Sequence, residues 1–193
     1  MKNIRSNIIA AGILCLSLGM TSCTKGFLDV ESKTESTTGN FYKTEQDAYR
    51  ALLGCYDGYR RATCGSAVNF LVSAEVMGYE CFGGSGASDG NGMRVTDRFD
   101  LSEMPSSTGS SWSGYYAGIY RCNELITREN SIQWNETGSM HTQYMAECHA
   151  IRAFLYFDVV RQFGNIPLLT KPTDENIPQG DPADVYKLIF DDL

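Results

Sequence analysis

Basic residues are in deficit, with 16 Lys+Arg against 23 Asp+Glu in 193 residues and a formal net charge of −7. That excludes a broad nucleic-acid surface, which needs clustered Lys and Arg to displace counterions from phosphates. Histidine is scarcer still: His141 and His149 are the only two. They lie more than two helical turns apart, so they do not converge on one ion as the histidines of H-E-x-x-H do. A structural or solvent-facing role is expected for both. No C-x-x-C occurs, which removes a thioredoxin-type redox site and a zinc ribbon. Past residue 25 there is no apolar run of about 20 residues, so no spanning helix is read there. No 34-residue self-similarity is visible either. What is present is a globular composition: 42% apolar and 11% aromatic residues, enough for the core of one domain.

The first residues read as an address. Lys2 and Arg5 form a basic start, Ile8 to Leu18 is an apolar stretch, and Met20-Thr21-Ser22-Cys23 follows. Small residues before a cysteine mark a bacterial lipobox, with Cys23 becoming the lipidated first residue. Residues 1–22 are expected to be the signal peptide and 23–40 a lipidated Ser/Thr/Glu-rich tether. The helical body is expected over 41–193. Removing 1–22 takes away Lys2 and Arg5, leaving 14 basic against 23 acidic residues, a balance of −9. Anionic lipid repels such a surface, so acyl chains must hold it at a membrane. Five cysteines remain beyond Cys23, an odd number. Cys55, Cys122 and Cys148 fall on apolar helix faces, where each reads as a small buried hydrophobe.

The body reads as all-α. Thr44 and Asp47 open a helix as an approximate capping box, and Ala48, Ala51, Leu52, Cys55 and Tyr59 keep the 3.6 period. A weaker helix covers about Val68 to Met77. Residues 78–110 are rich in Gly, Ser, Asp and Asn, and no regular element is expected there. A loop of that length is usually functional. The next helix is expected from Ser110 or Ser111, with Trp112, Tyr115, Tyr116, Ile119, Cys122, Leu125 and Ile126 as its buried stripe. Another runs from Ser139 to Phe163 and stops at Gly164. Its Ala146, Ala150 and Ala153 are expected at a close helix approach, and Phe154, Phe157, Val160 and Phe163 on the core face. Pro167 keeps Ile166 extended. Asp181 and Pro182 open a last helix carrying Val185, Leu188 and Ile189. It meets no stop signal before Leu193, so the sequence is expected to be the front of a longer protein.

Sugars present both C–H faces and hydroxyls, so they are bound by aromatic rings together with Asp, Asn and Arg. The 78–110 stretch offers Tyr79, Phe82, Asp89, Asn91, Arg94 and Asp97 as ligand-binding candidates, with Arg98 beside them. Trp112 starts a continuous apolar stripe and is assigned to the core. Gly83-Gly84-Ser85-Gly86-Ala87 falls short of a nucleophile elbow, lacking the last Gly and a preceding strand. Asp89-Gly90-Asn91-Gly92 carries calcium-compatible oxygens without the rest of an EF-hand. No pattern calls for a cofactor or a metal ion, and no catalytic constellation is present. Arg152 and Asp158 are expected in pairings between helices.

Several segments in order resemble the SusD/RagB family of nutrient-binding outer-membrane lipoproteins. Trp112 to Ile126, "WSGYYAGIYRCNELI", is similar to the family's Trp-x-x-x-Tyr…Ile…Asn helix. Glu147 to Leu169, "ECHAIRAFLYFDVVRQFGNIPLL", resembles its Arg-Ala-Phe-x-Tyr-Phe-Asp segment and the following Gly-x-x-Pro-Leu, with Phe163 where Tyr is usual. Asp184 to Leu193, "DVYKLIFDDL", is similar to the start of its next helix. The lipobox, "FLDVE" at 27–31 and "FYKTEQDAYRALLGCYDGYR" at 41–60 also stand in family order. The resemblance implies a tetratricopeptide-like helical scaffold at the outer membrane, facing the cell exterior. It also implies glycan or other nutrient binding and docking onto a SusC-like TonB-dependent transporter. Two other readings stand beside it. One is a surface hydrolase using Ser85 or the Asp89–Asp97 pair; the other is a ligand-free lid on the transporter.

Overall fold

The first helix starts where the Thr44–Asp47 spacing predicts. Asp47 Oδ2 accepts from the Thr44 backbone N–H at 3.0 Å, and Thr44 Oγ1 accepts from the Asp47 N–H at 3.2 Å. Two otherwise orphaned N–H groups are satisfied reciprocally. In the computed structural model, residues 41–64, 70–84, 86, 91–100, 102, 104–135 and 138–193 are described. The expected signal peptide, Cys23, the tether, Ser85 and Asp89 lie outside them. The helices are α1 (Glu45–Cys64), α2 (Phe70–Met77), α3 (Asn91–Asp97), α4 (Met104–Arg128), α5 (Ser139–Phe163) and α6 (Pro182–Asp192). A 3-10 turn, Glu129–Ser131, follows α4. No strand forms among the described residues, which belong to one unit, Thr38–Leu193.

Helices α1, α4 and α5 pack against one another and form the core, while α6 lies on α5 and α3 joins α2 to α4. The stripes converge as their periodicity requires: Ala48, Leu52, Cys55 and Ala62 from α1, Tyr115, Ile119, Cys122 and Leu125 from α4, Cys148, Leu155, Tyr156 and Val159 from α5. Backbones approach most closely at glycines, and of the three α5 alanines only Ala153 is buried as expected. A Cβ on Gly58 would lie 2.9 Å from the Gly118 Cα, and one on Gly118 would lie 2.9 Å from Leu155 Cδ1. Ala146 is exposed and Ala150 half-buried. Helix α5 begins and ends where the sequence places it, and Gly164 closes it at φ 71° with its N–H on the Val160 carbonyl. Its core face is as expected at Val160, which is buried, and at Phe163, which packs on the core, but differs at the other two phenylalanines. Phe154 is 52% and Phe157 38% exposed, whereas Leu155, Tyr156 and Val159 fill the interior.

Two further corrections concern the glycine-rich stretch. It contains the short helix α3, and α4 starts at Met104, before Ser110. The extra turns of α4 carry Ser, Thr and Gly, with no apolar period to reveal them.

The extended segment after α5 is tied down by side chains. Tyr116 Oη donates to the Pro167 carbonyl at 2.8 Å. Tyr156 Oη donates to the Leu169 carbonyl at 2.7 Å and accepts from the Leu169 N–H at 2.8 Å. Asn123 Nδ2 reaches the same carbonyl at 2.7 Å. Burial pushes the Tyr116 and Tyr156 phenols far up, so both remain neutral donors. Helix α6 opens with the Asp181 carboxylate accepting from the Ala183 N–H at 2.8 Å, with Pro182 in the first turn.

Arg152 pairs across helices as expected. Its Nε and Nη2 donate to the two Asp192 oxygens at 2.7 Å each, and Nη1 donates to Asn123 Oδ1 at 2.8 Å. His149 Nδ1 meets Asp192 at 2.6 Å. Burial alone would raise the Asp192 pKa, but hydrogen bonds from Arg152 and His149 outweigh it and hold the carboxyl below its ordinary range. Asp158 accepts from Tyr115 Oη at 3.1 Å and pairs with Arg161 at 2.7 Å.

Candidate functional site

Helix α2 ends in a tight turn that projects aromatic rings. The Gly78 N–H bonds the Ala74 carbonyl, the Tyr79 N–H bonds Val76, and the Glu80 and Cys81 N–H groups both return to Glu75. This wrapping forces Tyr79 into the left-handed region at φ 62°. Phe99, in the turn after α3, has φ 52°. Bulky residues rarely adopt this conformation, at a cost of about 1–3 kcal/mol each, so the surrounding hydrogen bonds must impose it. Tyr42, ahead of α1, is a third such residue. The Tyr79 and Phe99 rings come together with centroids 6.2 Å apart.

The segment after Tyr79 rests directly on α3. A Cβ on Gly83 would run into the Met93 carbonyl and lie 2.6 Å from the Asp97 Cβ, so only glycine fits. This holds the backbone just after Phe82 against α3 at Met93 and Asp97. Phe82 is 94% and Tyr79 80% exposed, so neither ring is spent on closing the loop. Arg94 and Asp97 stand three apart on α3, which brings them to one side of the helix that Asn91 opens. Arg94 is half-buried, and its Nε is buried with no hydrogen-bond partner among the described residues. A guanidinium nitrogen held this way is a donor in want of an acceptor.

Tyr79, Phe82, Arg94 and Asp97 therefore share one region, with Asn91 on the same helix. Asp89 lies outside the described residues. Arg98 is exposed at the end of α3. Phe99 belongs with the exposed rings, and sequence reasoning passed over it; an aromatic inside a Gly/Asp-rich stretch was the available signal. Trp112 lies elsewhere, half-buried, with its ring 4.7 Å from Tyr116 and edge-on to Phe163 at 5.0 Å. The histidines are structural: His141 stacks on Trp134 at 4.3 Å and meets Glu129 at 2.6 Å, and His149 serves Asp192.

A second, apolar surface runs along α5. Phe154 links two shallow grooves. One, of about 190 Å³, is shared with Tyr56, Tyr59 and Ile151. The other, of about 250 Å³, is shared with Phe157, Tyr186 and Phe190. Tyr56 Oη donates to Glu147 at 2.9 Å at the rim of the first.

Comparison with known proteins gives this geometry its context. Residues 87–193 match the SusD-like family described as "Starch-binding associating with outer membrane". The whole chain is 27% identical over 200 residues to a SusD-like protein of Formosa agariphila, covering 37% of that protein. A solved laminarin-binding SusD-like protein is 34% identical, with a TM-score of 0.65 over 78% of this chain and 33% of its own. A SusD homologue of Bacteroides thetaiotaomicron is 26% identical, with a TM-score of 0.59 over 84% of this chain and 31% of its own. The chain thus spans about a third of the length of the relatives it matches. The all-α, tetratricopeptide-like scaffold implied by the family resemblance is the fold of the described residues.

Proposed function

The chain belongs to the SusD/RagB family, and from that premise we propose that it is the front part of a surface lipoprotein that binds a glycan. The observation that carries this reading is the pair of exposed rings, Tyr79 and Phe82, on the segment whose Gly83 rests on α3. The solved relative named for laminarin binding supports a glycan as the class of ligand. The rings stack on sugar C–H faces, while Arg94 donates to hydroxyls and Asp97 accepts from them. Asn91 and Asp89 remain further candidates by residue type, since both offer side-chain oxygens to hydroxyls. The role is capture rather than chemistry, and the chain is not an enzyme on this reading.

Cys23 carries the lipid in this proposal, with residues 1–22 removed and 23–40 as the tether. The body is then held at the outer membrane facing outward, with acyl chains overcoming the repulsion between an acidic surface and anionic lipid. The captured glycan passes to a SusC-like TonB-dependent transporter. The apolar grooves along α5 favour a second reading, a scaffold that contacts other protein surface without itself holding ligand. A glycan array probed with the chain from residue 24 onward separates the two. The first reading expects retention on a subset of glycans, β-glucans of the laminarin type included. Uniform lack of retention contradicts it.

A further inference from the structure

The fold brings together three cysteines that the sequence keeps far apart. Cys55 comes from α1, Cys122 from α4 and Cys148 from α5, the three helices of the core. All three side chains are fully buried. The Cys55 and Cys148 sulfurs are 3.9 Å apart, and all three sulfurs lie within 4.8 Å of one another. None is in a disulfide. Cys148 Sγ donates to the Cys122 carbonyl at 3.6 Å, which fixes its rotamer toward the other two. As small hydrophobes these residues would satisfy packing from any direction. Their sulfurs instead surround one point.

We propose that Cys55, Cys122 and Cys148 form a trigonal site for a soft monovalent cation, Cu(I), in the centre of the three-helix core. Metal–thiolate bonds of about 2.3 Å around a trigonal ion set the sulfurs about 4 Å apart, the separation already present for one pair. A small inward shift of Cys122 completes the triangle. Thiolate ligands select soft ions, and closed zinc sites take four ligands where this cluster offers three. On binding, three S–H bonds break, three Cu–S bonds form and three protons leave to solvent, with no change of oxidation state.

Because the sulfurs are shut away from solvent, the ion enters while the core is open. It then ties α1, α4 and α5 together.

The test uses the full chain carrying Cys15→Ser, Cys23→Ser, Cys64→Ser and Cys81→Ser, so that only the three core thiols remain. It is refolded anaerobically with Cu(I) or with Zn(II) and passed over a chelating column. The expected result is one copper retained per chain, an ultraviolet thiolate-to-copper charge-transfer band, and a higher melting temperature than the copper-free protein. Adding Cys122→Ala should abolish the band while helical circular dichroism persists. No retained copper, a band that survives Cys122→Ala, or tighter retention of Zn(II) than of Cu(I) would overturn the proposal. A disulfide between any two of the three in protein isolated without reductant would overturn it as well.

Discussion

Replacing Arg152 with Met tests what closes the fold around the extended segment. The Arg152 side chain is 5% exposed and its partner Asp192 3%. Arg152→Met keeps most of the apolar volume but removes two bonds to Asp192 and one to Asn123. Asp192 is left as a buried carboxylate with His149 as its remaining hydrogen-bond partner. Breaking a buried pair from one side costs about 3–5 kcal/mol, a large share of the roughly 5–15 kcal/mol that holds a domain together. The pH dependence carries the sign. Because the folded Asp192 pKa is depressed, its stabilisation is full above the unfolded value of about 3.9 and is lost as pH falls through the folded value. In Arg152→Met the opposite holds: burial disfavours the charge, and protonation relieves it. Urea unfolding of both proteins should show the deficit at pH 7 and a narrower one near pH 4. Lys187→Ala, which breaks an exposed pair with Asp191, should not measurably change stability. A loss below about 1 kcal/mol for Arg152→Met, or a deficit independent of pH, would refute the reasoning.

Gly58→Val should destabilise the chain by about 1–3 kcal/mol, since its Cβ meets the Gly118 backbone, while Gly54→Ala meets open space and should stabilise by about 0.5–1 kcal/mol; thermal melts of both decide. Trp112→Ala should lower the melting temperature without changing glycan affinity, because its ring packs on Tyr116 and Phe163. Cys23→Ala should abolish palmitate incorporation and release the protein from the membrane fraction; unchanged labelling would contradict the lipid anchor.

The helix ends that carry punctuation were legible from sequence. Thr44–Asp47, Gly164 and Asp181–Pro182 mark starts and stops by chemistry that acts within a few residues, and the structure places each as expected. Legibility failed where local pattern does not choose a face. Helix α5 reads Phe154-Leu155-Tyr156-Phe157, apolar around its circumference, so period alone cannot say that Leu155 and Tyr156 face inward and both phenylalanines outward. Helix α3 was hidden because Asn91 and Gly92 read as loop; its packing against α4 and the Gly83 contact are tertiary. Tyr79, Phe82, Arg94 and Asp97 were legible as sugar-binding residue types, and their adjacency was not, because it depends on that contact. The meeting of Cys55 and Cys148 spans 93 residues and leaves no trace in spacing.

Titration calorimetry on the Tyr79→Ala/Phe82→Ala double variant tests the central claim most directly. The titrant is the glycan that an array selects for the unmodified protein. Both rings are almost free of the fold, so the melting temperature should hold. Each ring that stacks on a sugar contributes about 0.5–1.5 kcal/mol, and losing both should weaken binding by roughly 5- to 150-fold. Unchanged affinity in a folded double variant would contradict the account and move the glycan away from the α2–α3 surface.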